Sequence, residues 1–230
     1  MSAPSCHASL FDGLLGEGVI ACDYFGRDTL SDPLPKEVQS LGAARDERSR
    51  DFANGRHCAR AALAAFGCAS GPILIGPRGE PMWPHGFVGS ITHCDGYCAA
   101  AVAKAGRVAS LGIDAEPHAP LPDGVLELVA TPGEREWLRS RQAPEVFWDR
   151  VLFSAKESIY KACYPLTHVF AEFSDVTVEF EPARSTFDAR WAGAAPAITL
   201  QGRLAIARGL VLTATTVERS DGTGYFTLAR

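Results

Sequence analysis

The segment PEVFWDRVLFSAKESIYKACYPL limits the possible folds more than any other stretch of the chain. Trp148, Leu152, Ala155, Ile159 and Ala162 follow one another at steps of four and three, which places them on one face of a helix. Such a stripe must be buried, so the remainder of the chain has to supply a layer that receives it. Glu157 and Lys161 fall on a different face one turn apart, with Arg150 two turns below. Glutamate four residues before lysine is a favourable helical pair worth a few tenths of a kcal/mol, about 0.2–0.5. Taken alone, the pair describes a solvated face.

Strands are the natural partner layer. In RVASLGIDAEP the apolar run at 108–113 predicts a strand that Pro117 ends, since proline cannot donate to a ladder. Asp114 and Glu116 then point one way and Ala115 the other. Two like charges held side by side repel unless a proton or a cation lies between them. FVGSITHCDGYCAAAVAKAG reads as two strands around an Asp95-Gly96 hairpin turn. GPILIGPRGEPMWPHG is dense in glycine and proline and reads as strand and turn. After Pro165, SDVTVEF, AITLQGRLAIARG and LVLTATTVE alternate like strands.

Two more helices are predicted. Residues 40–67 carry Phe52, Ala59, Leu63 and Phe66 at near-helical spacing and end at a glycine suited to a C-terminal cap. Arg45, Arg48, Arg50, Arg56 and Arg60 crowd this segment among the acids Asp46, Glu47 and Asp51. Arg56 and Arg60 have no acid one turn before them, a mild hint of an anion site. TPGEREWLRS opens with Thr131 as N-cap, Pro132 at the first helical position and Glu134 three residues after the cap. Helices mixed with hairpins in each half predict an α+β architecture.

Composition removes several classes. At 230 residues the chain is one large domain or two small ones. A formal charge of −5 is the wrong sign for a general nucleic-acid binder. The amino-terminal stretch has neither a basic region nor a long apolar core, so no secretory signal is expected. No apolar run approaches the ~20 residues of a membrane helix. Seven cysteines without framework spacing suit reduced thiols in a cytoplasmic setting. His93, Cys94 and Cys98 lack a fourth ligand with matching spacing and are not read as zinc ligands.

The chemistry lies in a combination. Asp114, Glu116 and Glu157 offer only oxygen donors, as a hard divalent cation such as Mg²⁺ requires. Lys156 and Lys161 beside them make sense if the remaining ligands are phosphate oxygens, whose excess charge needs cations on both sides. No phosphate-binding glycine loop of the usual nucleotide folds is present.

GIDAEP followed by FSAKESIYKA resembles the paired motifs of the Sfp/EntD-type 4′-phosphopantetheinyl transferases. GRHCARAAL, PRGEPMWPHGFVGSITHCDGY and ARGLVLTA also resemble that family, its actinobacterial members above all. The resemblance implies two similar α+β halves related by a pseudo-twofold axis, with the active site in the cleft between them. The N-terminal half, 1–108, would hold the nucleotide end of coenzyme A, and 109–230 would carry the carboxylates and the catalytic helix.

It further implies transfer of the phosphopantetheine arm of coenzyme A to a serine of an apo acyl or peptidyl carrier protein. These carriers serve fatty-acid, polyketide, nonribosomal-peptide or siderophore synthesis. Mg²⁺, or Mn²⁺ in its place, would be held by Asp114, Ala115 through its carbonyl, Glu116 and Glu157. Lys161 and Lys156 would neutralise charge near the phosphates, and Glu157 would serve as general base. Arg48, Arg56, Ile75, Gly76, Pro77, Arg78, Gly79, Thr92 and His93, with Lys161, would contact coenzyme A. Tyr160, Leu166 and Phe170 are expected to meet the carrier, and a monomer is expected because both halves are in one chain. A coenzyme A pyrophosphate hydrolase and a non-catalytic coenzyme A-binding module are the alternatives.

Overall fold

The computed structural model describes residues 9–41, 46–69, 71–141, 145–170, 172–192, 198–219 and 226–228. The N-terminal half contains β1 (Val19–Phe25), α1 (Pro35–Leu41), α2 (Asp46–Ala65), β2 (Phe87–Cys94) and β3 (Tyr97–Lys104). Its three strands form an antiparallel sheet in the order β1-β3-β2. The C-terminal half follows as β4 (Val108–Pro117), α3 (Val125–Val129), α4 (Pro132–Ser140) and α5 (Trp148–Thr167). It is completed by β5 (Val176–Glu181), β6 (Thr186–Trp191), β7 (Ile198–Ala207), β8 (Leu210–Arg219) and β9 (Phe226–Leu228). Those strands make a six-stranded antiparallel sheet, β4-β8-β7-β6-β5, with β9 paired to β8. Helices beside antiparallel sheets in both halves make this the expected α+β fold.

Each long helix lies on its own sheet because its apolar stripe matches a row of small strand residues. Ala59, Ala62 and Leu63 of α2 pack against Ala100 and Val102 of β3. Leu152, Ala155, Ile159 and Ala162 of α5 are buried with Val178, Leu200 and Val211 of the larger sheet, as the periodicity predicts. Small hydroxyl residues let α5 approach β8, with Ser154 Oγ 2.9 Å from Thr213 Oγ1. Leu111, Ile113 and Ala115 point to the opposite side of β4 and pack with Ala99, Ala101 and Leu212. That third cluster joins the two halves.

Local signals hold where they were read. Asp95 and Gly96 form the two-residue turn between β2 and β3, with Gly96 at φ 72°. Thr131 and Glu134 make the complete capping box of α4. Gly67, at φ 75°, caps α2. Of the helix expected over 40–67, the described residues show α2 from Asp46 to Ala65, with α1 from Pro35 to Leu41 before it; Arg45 lies outside the described residues. α1 turns Glu37 fully inward, where it accepts from Arg60 Nη1 at 2.8 Å. The charge that looked spare on Arg60 is therefore matched from another element. Cys22 is disulfide-bonded, so the expectation of reduced thiols throughout does not hold.

Candidate active site

The candidate residues come from four elements that meet where β2 lies beside β4. β4 is the end strand of its sheet, and side chains of β2 satisfy its outer edge. The Ile113 N–H donates to Ser90 Oγ at 3.1 Å, and the Ala115 N–H donates to Thr92 Oγ1 at 3.0 Å. The hydroxyls two residues apart in SITH thus take the place of a backbone ladder. In an antiparallel strand the N–H and C=O of one residue leave by the same edge. The carbonyls of Ile113 and Ala115 therefore also face away from β8, and Lys161 Nζ reaches that of Ile113 at 3.3 Å.

Gly112 decides how close α5 comes. A Cβ at this position would lie 1.9 Å from Ser158 O and 2.7 Å from Ala162 N. The helix backbone rests directly on the strand, and this contact carries Lys161 Nζ to 2.7 Å from Asp114 Oδ1.

Asp114 is 3% exposed. Its Oδ1 also accepts from Thr92 Oγ1 at 3.3 Å, whereas Oδ2 is buried without a partner among the described residues. An unsatisfied buried carboxylate oxygen is costly, and in native proteins it points to an ion or water that completes it. Glu116 is half-buried and accepts from Arg150 Nη1 at 2.8 Å through Oε2. Burial raises its pKa and Asp114 adds to the rise, against Arg150 and Lys161. The Glu157 carboxylate makes no hydrogen bond among the described residues; burial raises its pKa, Lys161 opposes this, and Asp114 reinforces it. Burial alone would lower the Lys161 ammonium, but the charge and hydrogen bond of Asp114 outweigh it and hold the group above its ordinary value.

This donor set fits a hard divalent cation. Three carboxylates face two cations, Lys161 and Arg150, and one buried carboxylate oxygen is unused. Among the described residues no three His, Cys, Asp or Glu side chains converge closely enough to hold a metal ion by themselves. The rest of the shell would have to come from ligand oxygens or water.

Of the three acids, Glu157 borders open space. Glu157, Tyr160 and Lys161 line a cavity of about 190 Å³ with Arg78, Gly79 and Ser90. On its other side Glu157 borders a second cavity of about 330 Å³, shared by Tyr160, Leu128 and Phe170. His93 lies above Lys161 and Asp114, its Nδ1 3.7 Å from Asp51 Oδ2. Burial lowers its pKa, which Asp51 opposes.

Other expected residues lie elsewhere or have different work. Lys156 is buried, and its ammonium donates to Val129 O, Glu134 Oε2 and Phe173 O at 2.8, 2.8 and 2.9 Å. All three of its donors are used in tying α5 to Val129 of α3, Glu134 of α4 and Phe173, and Lys156 also borders the larger cavity beside Glu157. Thr92 is 2% exposed and its hydroxyl is engaged by Asp114 and Ala115, so it holds the outer edge of β4. Arg56 is also buried, its guanidinium 3.8 Å over the Phe52 ring. Burial depresses its pKa to about 10. Arg48 is exposed on the first turns of α2. Of the loop at 75–79, Arg78 and Gly79 border the cavity of Glu157 and Lys161, while Ile75, Gly76 and Pro77 do not. Gly76 instead packs against the Glu80 carboxylate, with Gly76 N 2.7 Å from Glu80 O.

Sequence reasoning missed Ser90, Trp83 and the link from Arg150 to Glu116. The two β2 hydroxyls at i and i+2 were the visible signal for the first.

Known proteins resemble the sequence of this chain along most of its length. Residues 36–103 match the model of the 4′-phosphopantetheinyl transferase N-terminal domain, and residues 110–212 match that of the 4′-phosphopantetheinyl transferase superfamily. The 4′-phosphopantetheinyl transferase Svp of Streptomyces mobaraensis is 48% identical over 204 residues, covering 85% of this chain and 83% of the relative. The 4′-phosphopantetheinyl transferase PptT of Mycobacterium tuberculosis is 39% identical over 224 residues, covering 93% and 99%. Enterobactin synthase component D of Salmonella typhi is 30% identical over 131 residues, covering 56% and 53%. The chain belongs to the 4′-phosphopantetheinyl transferase superfamily and is an enzyme of that class.

Proposed function

We propose that this enzyme carries out its transfer with coenzyme A as donor, a divalent cation as cofactor and an apo acyl or peptidyl carrier protein as acceptor. The observation that carries the reading is the buried, unpartnered Oδ2 of Asp114, whose other oxygen is held by Lys161, a lysine that lines a cavity together with Glu157. Asp114, the Ala115 carbonyl, Glu116 and Glu157 are the proposed metal donors. A Mg²⁺ held there, or Mn²⁺ in its place, supplies charge neutralisation for the pyrophosphate.

The remaining steps fall to the chain itself. Lys161, kept protonated by Asp114, offers its charge to the phosphate nearest the pantetheine arm. His93 and Arg78 extend the polar wall toward the nucleotide, with Arg48 and Arg56 on the side of the 3′-phosphate. The carrier serine Oγ bonds to the pantetheine-side phosphorus as the bridging P–O bond breaks. The electron pair leaves on adenosine 3′,5′-bisphosphate, and the hydroxyl proton passes to a Glu157 carboxylate oxygen. Burial raises the pKa of that carboxylate, which favours its accepting a proton. Residues 1–108 form the nucleotide side and 109–230 the catalytic side.

The carrier is proposed to dock at the exposed apolar rim, where Phe170 stands 58% exposed against the Tyr160 ring. Phe170→Ala is expected to raise the carrier KM several-fold, consistent with a loss of about 1 kcal/mol or more for a buried aromatic contact. Its KM for coenzyme A should change less, and equal KM values for the carrier would remove the docking assignment.

Intact-mass analysis of an apo carrier protein tests the reaction. With enzyme, coenzyme A and Mg²⁺, the carrier should gain one phosphopantetheine. Glu157→Gln should abolish the gain. Coenzyme A cleaved with no gain on the carrier would favour the hydrolase.

A further inference from the structure

The loop that follows β4 is fastened to the start of α5 by one side chain more than any other. Arg150, on the first turn of α5, sends Nε to Ala119 O at 3.1 Å and Nη2 to Pro120 O at 2.8 Å. Its third arm, Nη1, donates to Glu116 Oε2 at 2.8 Å. The side chain of Arg150 is 13% exposed and that of Glu116 is 20% exposed. Two further hydrogen bonds hold the same loop without touching Glu116. These are Leu121 N–H to Asp149 Oδ2 at 2.8 Å and Phe147 N–H to His118 Nε2 at 3.3 Å.

The two carbonyls fix the guanidinium whether or not Glu116 is present. A planar fork fixed at two points presents its third arm in one direction, which an ammonium on a flexible stem cannot do. Glu116 therefore has one oxygen committed to Arg150, and its rotamer is set from outside. Its other oxygen is left for whatever lies between it and Asp114. The result is a division of the acid pair, in which Lys161 holds one oxygen of Asp114 and Arg150 holds one oxygen of Glu116.

We propose that Arg150 is a positioning residue for the metal site, presenting Glu116 to the cation through a single oxygen. The inference rests on the proposed metal role of Asp114, Glu116 and Glu157. Partners that orient a ligating carboxylate typically matter about 10- to 100-fold in metal affinity. Glu116 is the one carboxylate of the proposed metal set that Arg150 contacts among the described residues, so its effect reaches the reaction through Glu116.

The test is direct Mn²⁺ binding, by calorimetry or by the spin-resonance signal of free Mn²⁺, on full-length enzyme without coenzyme A or carrier. Arg150→Lys is expected to raise the Mn²⁺ Kd about ten-fold or more, while kcat at saturating Mg²⁺ falls far less. Asp149→Asn leaves one acceptor oxygen where two now serve the Leu121 and Arg150 N–H groups, so it loosens the same loop without touching Glu116 and should leave the Kd unchanged. The double variant Arg150→Lys/Glu116→Gln should bind no more weakly than Glu116→Gln alone. An Arg150→Lys enzyme that binds Mn²⁺ like the parent, while Glu116→Gln loses it, would overturn the positioning role and leave the metal site standing. Equal weakening by Asp149→Asn would also overturn it, by reducing Arg150 to a loop anchor. Unchanged binding in both Glu116→Gln and Asp114→Asn would remove the metal reading itself.

Discussion

Gly112→Ala is expected to abolish transfer while leaving every polar group of the site in the chain. The added methyl would sit 1.9 Å from Ser158 O and 2.7 Å from Ala162 N, both backbone atoms of α5. A side chain can rotate away from an intruder, but a helix backbone can only move as a body. Overpacking of this kind costs about 1–3 kcal/mol and sometimes more, and a rigid neighbour puts Gly112 at the upper end. The larger consequence is geometric. Lifting α5 from β4 withdraws Lys161 from Asp114 and Glu157 from the same pocket. A displacement of about 1 Å can cost ~100-fold in rate, so kcat should fall at least that far.

Gly202→Ala supplies the comparison. Its Cβ would meet the Phe187 ring at 2.0 Å, a comparable overlap in the same sheet but with a side chain remote from the acids. Melting temperature should fall in both variants, and the intact-mass assay should separate them: the Gly202 variant transfers below its melting point and the Gly112 variant does not. Full activity in Gly112→Ala would mean that the approach of α5 to β4 does not set the catalytic geometry.

What the sequence made legible follows from the range over which each signal acts. The α5 stripe, the Thr131–Glu134 capping box and the Asp95-Gly96 turn are settled within one or two turns of chain, so reading neighbours sufficed. GIDAEP disclosed a strand end with two acids on one face for the same reason. The family motif implies a ligand contact for Thr92 together with His93. On a strand, adjacent side chains point to opposite sides, and Thr92 turns to Asp114 and Ala115. Arg60 looked unpaired because its partner, Glu37, stands 23 residues earlier on another helix. No periodicity within α2 could have shown that contact.

Lys156 and Lys161 show the same limit most clearly. They are five residues apart, about 140° around a helix, so their side chains leave α5 in different directions. Lys156 follows Leu152 by one turn and shares the buried side, where the acid that meets it belongs to the cap of another helix.

That placement sets the second large effect. Lys156→Met should destabilise the fold strongly, because it leaves Glu134 buried without its cation and strips a donor from Val129 O and Phe173 O. Breaking a buried pair from one side costs about 3–5 kcal/mol, on the order of 10 °C in melting temperature for a chain of this size. Lys161→Met removes a lysine whose side chain is 27% exposed, beside an open cavity where water can enter, so its melting temperature should fall less. Its transfer rate should fall more, since no other ammonium borders that cavity among the described residues.

The double variant Glu134→Gln/Lys156→Met decides between a structural and a catalytic lysine at 156. The glutamine carbonyl can still accept from the Val178 N–H, which Glu134 Oε1 meets at 2.8 Å, and no buried charge is left uncompensated. Stability should therefore recover in part over Lys156→Met. Transfer measured below the melting point should recover with it. An enzyme that regains its fold and still transfers nothing would return Lys156 to the phosphates.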